Sequence, residues 1–162
     1  MPLHKLVHIV IGILCGILLS LSSLAYASTN IVFDDSREHV ESAENIFYFE
    51  DQRGELSIEK AILLNDKEWS HLPGNIANFG FSKSVYWFSF DLQNSGTKAI
   101  ELYVNLSYPL LDKIDFYTVS DKQIIEQYTS GDIYPFDARP IDHPSFLFPL
   151  TLSKNQRKTV LL

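Results

Sequence analysis

Residues 85–94 read VYWFSFDLQN. Tyr86, Phe88, Phe90 and Leu92 fall on the even positions, and Ser89, Asp91 and Gln93 on the odd ones. A period of two sends alternate side chains to opposite faces, so this stretch predicts a β-strand with one buried face. Asn94-Ser95-Gly96-Thr97 follows as a turn. Residues 99–106, AIELYVNL, then repeat the pattern with Ile100, Leu102, Val104 and Leu106 in phase. Two alternating runs joined by a short glycine-bearing connection predict a hairpin.

Further along, Ser107-Tyr108-Pro109 ends the second run. Residues 113–119 (KIDFYTV) predict a strand, Ser120-Asp121-Lys122 a turn, and residues 123–128 the returning partner. A loop with three prolines, GDIYPFDARPIDHP, spans residues 131–144. Phe146, Phe148, Leu150 and Leu152 then alternate again, and residues 158–162 begin one more strand. A strand that breaks off exposes unpaired backbone groups, so these residues are expected to be the front piece of a longer protein or a truncated reading frame.

Toward the start, Ile46-Phe47-Tyr48-Phe49 predicts a short strand and Gln52-Arg53-Gly54 a turn. Residues 56–64, LSIEKAILL, fit either a strand or a short helix capped by Ser57. Residues 28–44 are polar and acidic, and read as an exposed lead-in with an edge strand at Ile31–Phe33. Short strands separated by turn signals, with no sustained helical stripe, predict an all-β, jelly-roll-like β-sandwich over residues 45–162.

Residues 1–27 precede all of this. Lys5 marks a charged start, Ile9–Leu19 an apolar run, and Ala25-Tyr26-Ala27 a small-residue site. This order predicts a secretory signal peptide cut after Ala27, an uncleaved anchor being the alternative. Cys15 lies in the apolar run behind Leu14, where a lipoprotein signal needs a small residue, so lipidation is rejected. The chain's single cysteine leaves with the leader, which removes disulfides and cysteine metal sites from the mature part. Lys5 leaves too, so the formal charge moves from −7 to −8. Such a surface repels phosphate backbones, and nucleic acid is not an expected partner.

No catalytic set emerges. The histidines past the leader, His39, His71 and His143, stand apart, and no nucleophile elbow, HExxH or phosphate-cradling glycine loop occurs. Neither an enzyme nor a cofactor is expected. The candidate contacts are for a ligand. Trp87 lies among the polar positions of its strand, where an indole either stacks on a sugar ring or belongs to a second small core. The long loop holds Arg139, whose planar fork suits carboxylates and hydroxyls, or else pairs with Asp132 or Asp137. Tyr108 and His143 complete the set.

Several segments together resemble one family. They are Gly80–Trp87, the run YPLLDKIDFY with Pro109, Leu111, Asp112 and Tyr117, Gly131-Asp132, Phe136, Arg139-Pro140 and the strand Phe146–Pro149. In order and spacing they resemble the type 2 extracellular domain of bacterial seven-transmembrane receptors with diverse intracellular signalling modules (7TM-DISM). The resemblance implies a periplasmic sensor similar to carbohydrate-binding modules, set before seven membrane helices and a cytoplasmic output such as a diguanylate cyclase or histidine kinase. A small polar ligand, a carbohydrate among the candidates, is the expected partner, with membrane association through a receptor portion beyond residue 162. The alternative is a free-standing exported module that docks a partner protein.

Overall fold

The computed structural model describes residues 30–36, 45–74 and 76–162. The leader predicted over residues 1–27, its expected cleavage site and His39 lie outside them. The elements are β1 (Ile31–Phe33), β2 (Phe47–Asp51), α1 (Ile58–Ala61), β3 (Ser70–His71), β4 (Val85–Asn94), β5 (Ile100–Leu106), β6 (Ile114–Ser120), β7 (Gln123–Ser130), β8 (Phe146–Leu152) and β9 (Arg157–Leu161), with a 3-10 turn at Phe136–Ala138. The chain is an all-β sandwich, as the alternation predicts. One sheet runs in the order β3-β2-β4-β9-β6-β7, and the facing sheet is the pair β5-β8. Within residues 56–64 the single-turn helix α1 forms over Ile58–Ala61, with Ser57 at its N-cap position.

Strand β4 explains the arrangement. Its first half pairs with β2 through Val85–Ser89, and its second half with β9 through Ser89–Gln93. β1 runs parallel to Leu92–Asn94, on the edge that β2 has left. Ile31 and Phe33 are thereby buried in the main core. At those positions the lead-in is not the exposed segment that its acidic composition suggested. The edge strand expected at Ile31–Phe33 does form, and its two large apolar side chains suffice to seat it, since each reaches the core on a period of two.

The predicted hairpin between β4 and β5 does not form. β5 pairs with β8, from Ile100↔Leu152 to Leu106↔Phe146, so residues 95–99 carry the chain from one sheet to the other. The alternation was read correctly, for Phe90 and Leu92 are buried and Ile100 to Leu106 pack on the same cluster. These runs face each other across the core instead of lying side by side. Asn94 holds the crossing. Its fully buried amide donates to the carbonyl oxygens of Lys98 (2.8 Å), Leu152 (3.1 Å) and Ser153 (3.1 Å). Its Oδ1 accepts the Gly96 amide at 2.9 Å.

The main core lies between the sheets. Phe146, Phe148, Leu150 and Leu152 are all buried there, and Phe116 stacks on Phe148 with ring centres 4.7 Å apart. Strands β6 and β7 form the hairpin the sequence predicts, turning at Asp121 and Lys122, both at positive φ (50° and 62°). Two consecutive left-handed residues match the twist of the strands they join. A second core covers the outer face of the large sheet, where Trp87, Tyr117, Val119 and Leu161 pack under Ala61 of α1. Burial pushes the Tyr117 hydroxyl above its ordinary pKa, and the Asp115 carboxylate adds to the effect.

Candidate functional site

The four residues singled out from sequence do not form one site. Trp87 is 7 % exposed, inside the second core, with its ring 6.4 Å from that of Tyr117. Its indole presents no face to solvent, because Phe49, Leu56, Ile58 and Trp69 pack around it. Of the two readings of this residue, core packing is the one the structure shows. Tyr108 is exposed on the connection between β5 and β6. Arg139 and His143 do come together, within the loop between β7 and β8. Arg139 donates from one guanidinium nitrogen to the carbonyl oxygens of His143 (2.9 Å) and Pro144 (2.8 Å). Its Cζ lies 4.7 Å from the Phe136 ring centre and 4.4 Å from that of Phe146. The His143 Nδ1 accepts the Ser145 amide at 3.0 Å.

Arg139 is therefore engaged with carbonyls and rings, not with Asp132 or Asp137. A guanidinium between two aromatic faces gains from both quadrupoles and still offers its edge to oxygen acceptors. The result is a clamp on the loop. Removing it with Arg139→Ala is expected to lower stability by about 1–2 kcal/mol and to leave ligand affinity unchanged. Urea unfolding of the exported protein, with parallel titrations, reads both.

A groove of about 200 Å³ lies where β7 approaches the β5–β8 pair, lined in part by Glu101, Tyr103, Glu126, Tyr128, Pro149 and Thr151. The register builds it. Glu101 pairs with Thr151 and Tyr103 with Pro149, so these four occupy adjacent positions on the outer face of the small sheet. Tyr103 is 56 % exposed beside the proline, which makes an open apolar surface rimmed by a carboxylate and a hydroxyl. Glu126 enters from β7 with its charge already shared. Its Oε2 accepts from Lys158 Nζ at 3.0 Å and from Thr118 Oγ1 at 2.5 Å. The Lys158 side chain is 5 % exposed, whereas that of Glu126 is 27 % exposed. One carboxylate thus joins the groove to an ammonium inside the sandwich.

A wider depression of about 640 Å³ lies between residues 34–35 and 97–102. Its Asp35 carboxylate is already used, accepting from the Thr97 amide and hydroxyl at 3.0 Å each. The groove at Tyr103 is the better candidate because its aromatic face and its Glu101 and Thr151 side chains stand exposed.

The family model for 7TMR-DISM extracellular 2 matches residues 43–162. The chain belongs to this family. A search of the curated proteins found no match. As a 7TMR-DISM extracellular 2 domain it is exported, and it is an extracellular sensor domain of a receptor. Among the described residues, no helix is long and apolar enough to cross a membrane.

The segments that carried the 7TMR-DISM resemblance are largely framework. Trp87 is core, Arg139 is the loop clamp, and Gly131 sits at φ 143° against the β5–β6 connection. A Cβ on Gly131 would come within 2.1 Å of the Asp112 carbonyl oxygen, so only glycine fits there. The groove residues Glu101, Tyr103, Glu126 and Thr151 are absent from those segments. Sequence reasoning passed over them because outward polar positions on a strand look like ordinary surface. One signal was readable: Lys158 falls in phase with Val160, on the side of β9 that turns inward.

Proposed function

We propose that this domain is the ligand-sensing part of a membrane signalling receptor, and that it binds a small polar ligand of carbohydrate type in the groove between β7 and the β5–β8 pair. The observation that carries the reading is Tyr103 lying open beside Pro149, with Glu101 and Thr151 at its rim. A sugar offers an apolar C–H face to such a ring and hydroxyls to the carboxylate and threonine around it. No group in the groove is arranged as a nucleophile with its base, so the reading is of a binder and not a catalyst. Neither a cofactor nor a metal takes part in it.

Isothermal titration of the exported protein against a panel of mono- and disaccharides and polyols tests this. At least one compound is expected to bind, and Tyr103→Ala to weaken it by about tenfold, the equivalent of roughly 1.4 kcal/mol. Silence across the panel, or unchanged affinity in the variant, overturns the assignment. A second reading has its own support. β5 and β8 form a two-stranded sheet, so each has an edge without a partner strand among the described residues. Such edges accept a strand from another protein. A docking module of that kind would leave the sugar panel silent.

A further inference from the structure

The two ends of the sandwich differ in chemistry. Registers place the starts of β4 and β6 and the ends of β7 and β9 at one end, with Ile114↔Ser130, Tyr117↔Leu161 and Ser89↔Leu161. Three connections at the opposite end, Ser95–Ala99, Asp121-Lys122 and Ser153–Gln156, carry no large apolar side chain. At the first end the connections carry large apolar side chains into solvent. Tyr108 (60 % exposed) and Leu110 (64 %) stand between β5 and β6, and Ile133 (65 %) and Phe136 (53 %) between β7 and β8.

These tips belong to one surface. The Asp132 amide donates to the Leu111 carbonyl at 2.8 Å and the Ile133 amide to that of Asp112 at 3.3 Å, so the two connections lie side by side. Gly131 permits the approach, and the Arg139 clamp fixes the far side of the loop. Exposed apolar side chains on braced loops are not loose core residues; they are presented.

We propose that this end of the domain docks on a lipid surface with zwitterionic headgroups, dipping Leu110, Ile133 and Phe136 into the interfacial layer. The step rests on the receptor reading, which puts a membrane close to the domain. Charge selects the lipid. Of the nearby cations, Lys113 is paired with Asp115 and Arg139 is held by the His143 and Pro144 carbonyls. Asp112, Asp132 and Asp137 stand among the tips, in a chain whose net charge is −7. They disfavour anionic headgroups and suit the ammonium groups of zwitterionic ones, while aromatic and aliphatic tips enter the boundary beneath. An amphipathic ring such as that of Tyr108 favours this zone, apolar in body with its hydroxyl toward water.

Flotation of the exported protein, its leader removed, with phosphatidylcholine vesicles is the test. The protein is expected to float, and Leu110→Asp with Ile133→Asp to lower the bound fraction at least tenfold. Ile125→Asp, at an exposed apolar position on β7 away from this end, is expected to leave flotation unchanged. Circular dichroism confirms that each variant folds, and the saccharide titrations are run separately. Failure here and failure of the ligand reading are therefore distinguishable. The proposal is overturned if the native protein stays with the dense fraction, if it floats only with anionic vesicles, or if Ile125→Asp acts as strongly as the pair.

Discussion

Asn94→Leu is expected to destabilise the domain by about 4 kcal/mol, read as a lower urea midpoint with an unchanged slope. The side chain is fully buried and satisfies four backbone groups. Leucine has the same branched skeleton with bulkier methyl groups, so no cavity opens and mild overpacking adds to the loss. What it removes is the partner of three carbonyl oxygens and one amide, each costing roughly 1–3 kcal/mol when buried without a hydrogen bond. The Lys98 and Ser153 carbonyls lie near the surface and recover part of that from water, which keeps the sum below the full total. Asn94→Asp separates the two faces of the interaction. It keeps the acceptor for Gly96 but faces three carbonyl oxygens with a carboxylate, and is expected to be at least as damaging as leucine. A loss under about 1 kcal/mol for Asn94→Leu would mean that the crossing between sheets is held by packing alone.

Asn94 also marks where the sequence stopped being legible. The alternation along β5, β8 and the second half of β4 identified the buried phase correctly, because period two follows from the pleat and needs no knowledge of partners. In the first half of β4 Tyr86 and Phe88 are only half-buried against Phe79, and Trp87 on the other face is the buried residue. The β6–β7 hairpin was legible for the same reason, its two-residue turn leaving no room for another path. The connection at residues 95–99 has room for either a hairpin or a crossing. The choice falls to Leu152 and Ser153, 58 and 59 residues away, whose carbonyls the Asn94 amide reaches. Nothing local encodes that. Trp87 was half legible: its place among Ser89 and Asp91 signalled something unusual about that face, but the cover supplied by α1 and Trp69 depends on how residues 52–72 fold back. Arg139 was noticed for its chemistry and turned out to serve the loop it stands in. The groove was missed for the opposite reason, since Tyr103 and Thr151 meet only through the β5–β8 register.

The same nonlocality hides the Glu126–Lys158 pair, and its expected behaviour is asymmetric. Glu126→Ala is expected to cost about 3 kcal/mol, while Lys158→Met stays within about 1 kcal/mol of the native protein. The reason is where each charge can go when its partner is lost. The Glu126 carboxylate is 27 % exposed and borders the groove, so without the lysine it hydrates. The Lys158 ammonium is 5 % exposed, and its partner among the described residues is that carboxylate, so without it a cation is left inside the sandwich. An unpaired buried charge costs far more than the pair contributes. In Glu126→Ala with Lys158→Met no stranded cation remains, and the loss should shrink to about 1 kcal/mol, the residue of the Thr118 hydroxyl losing its acceptor. The cycle should thus show a coupling of at least about 2 kcal/mol, and additive single effects would refute it. Lys158→Met also keeps the groove carboxylate while cutting its tie to β9. Saccharide affinity in that variant therefore reports whether the ligand needs Glu126 held in place by Lys158 or uses its carboxylate alone.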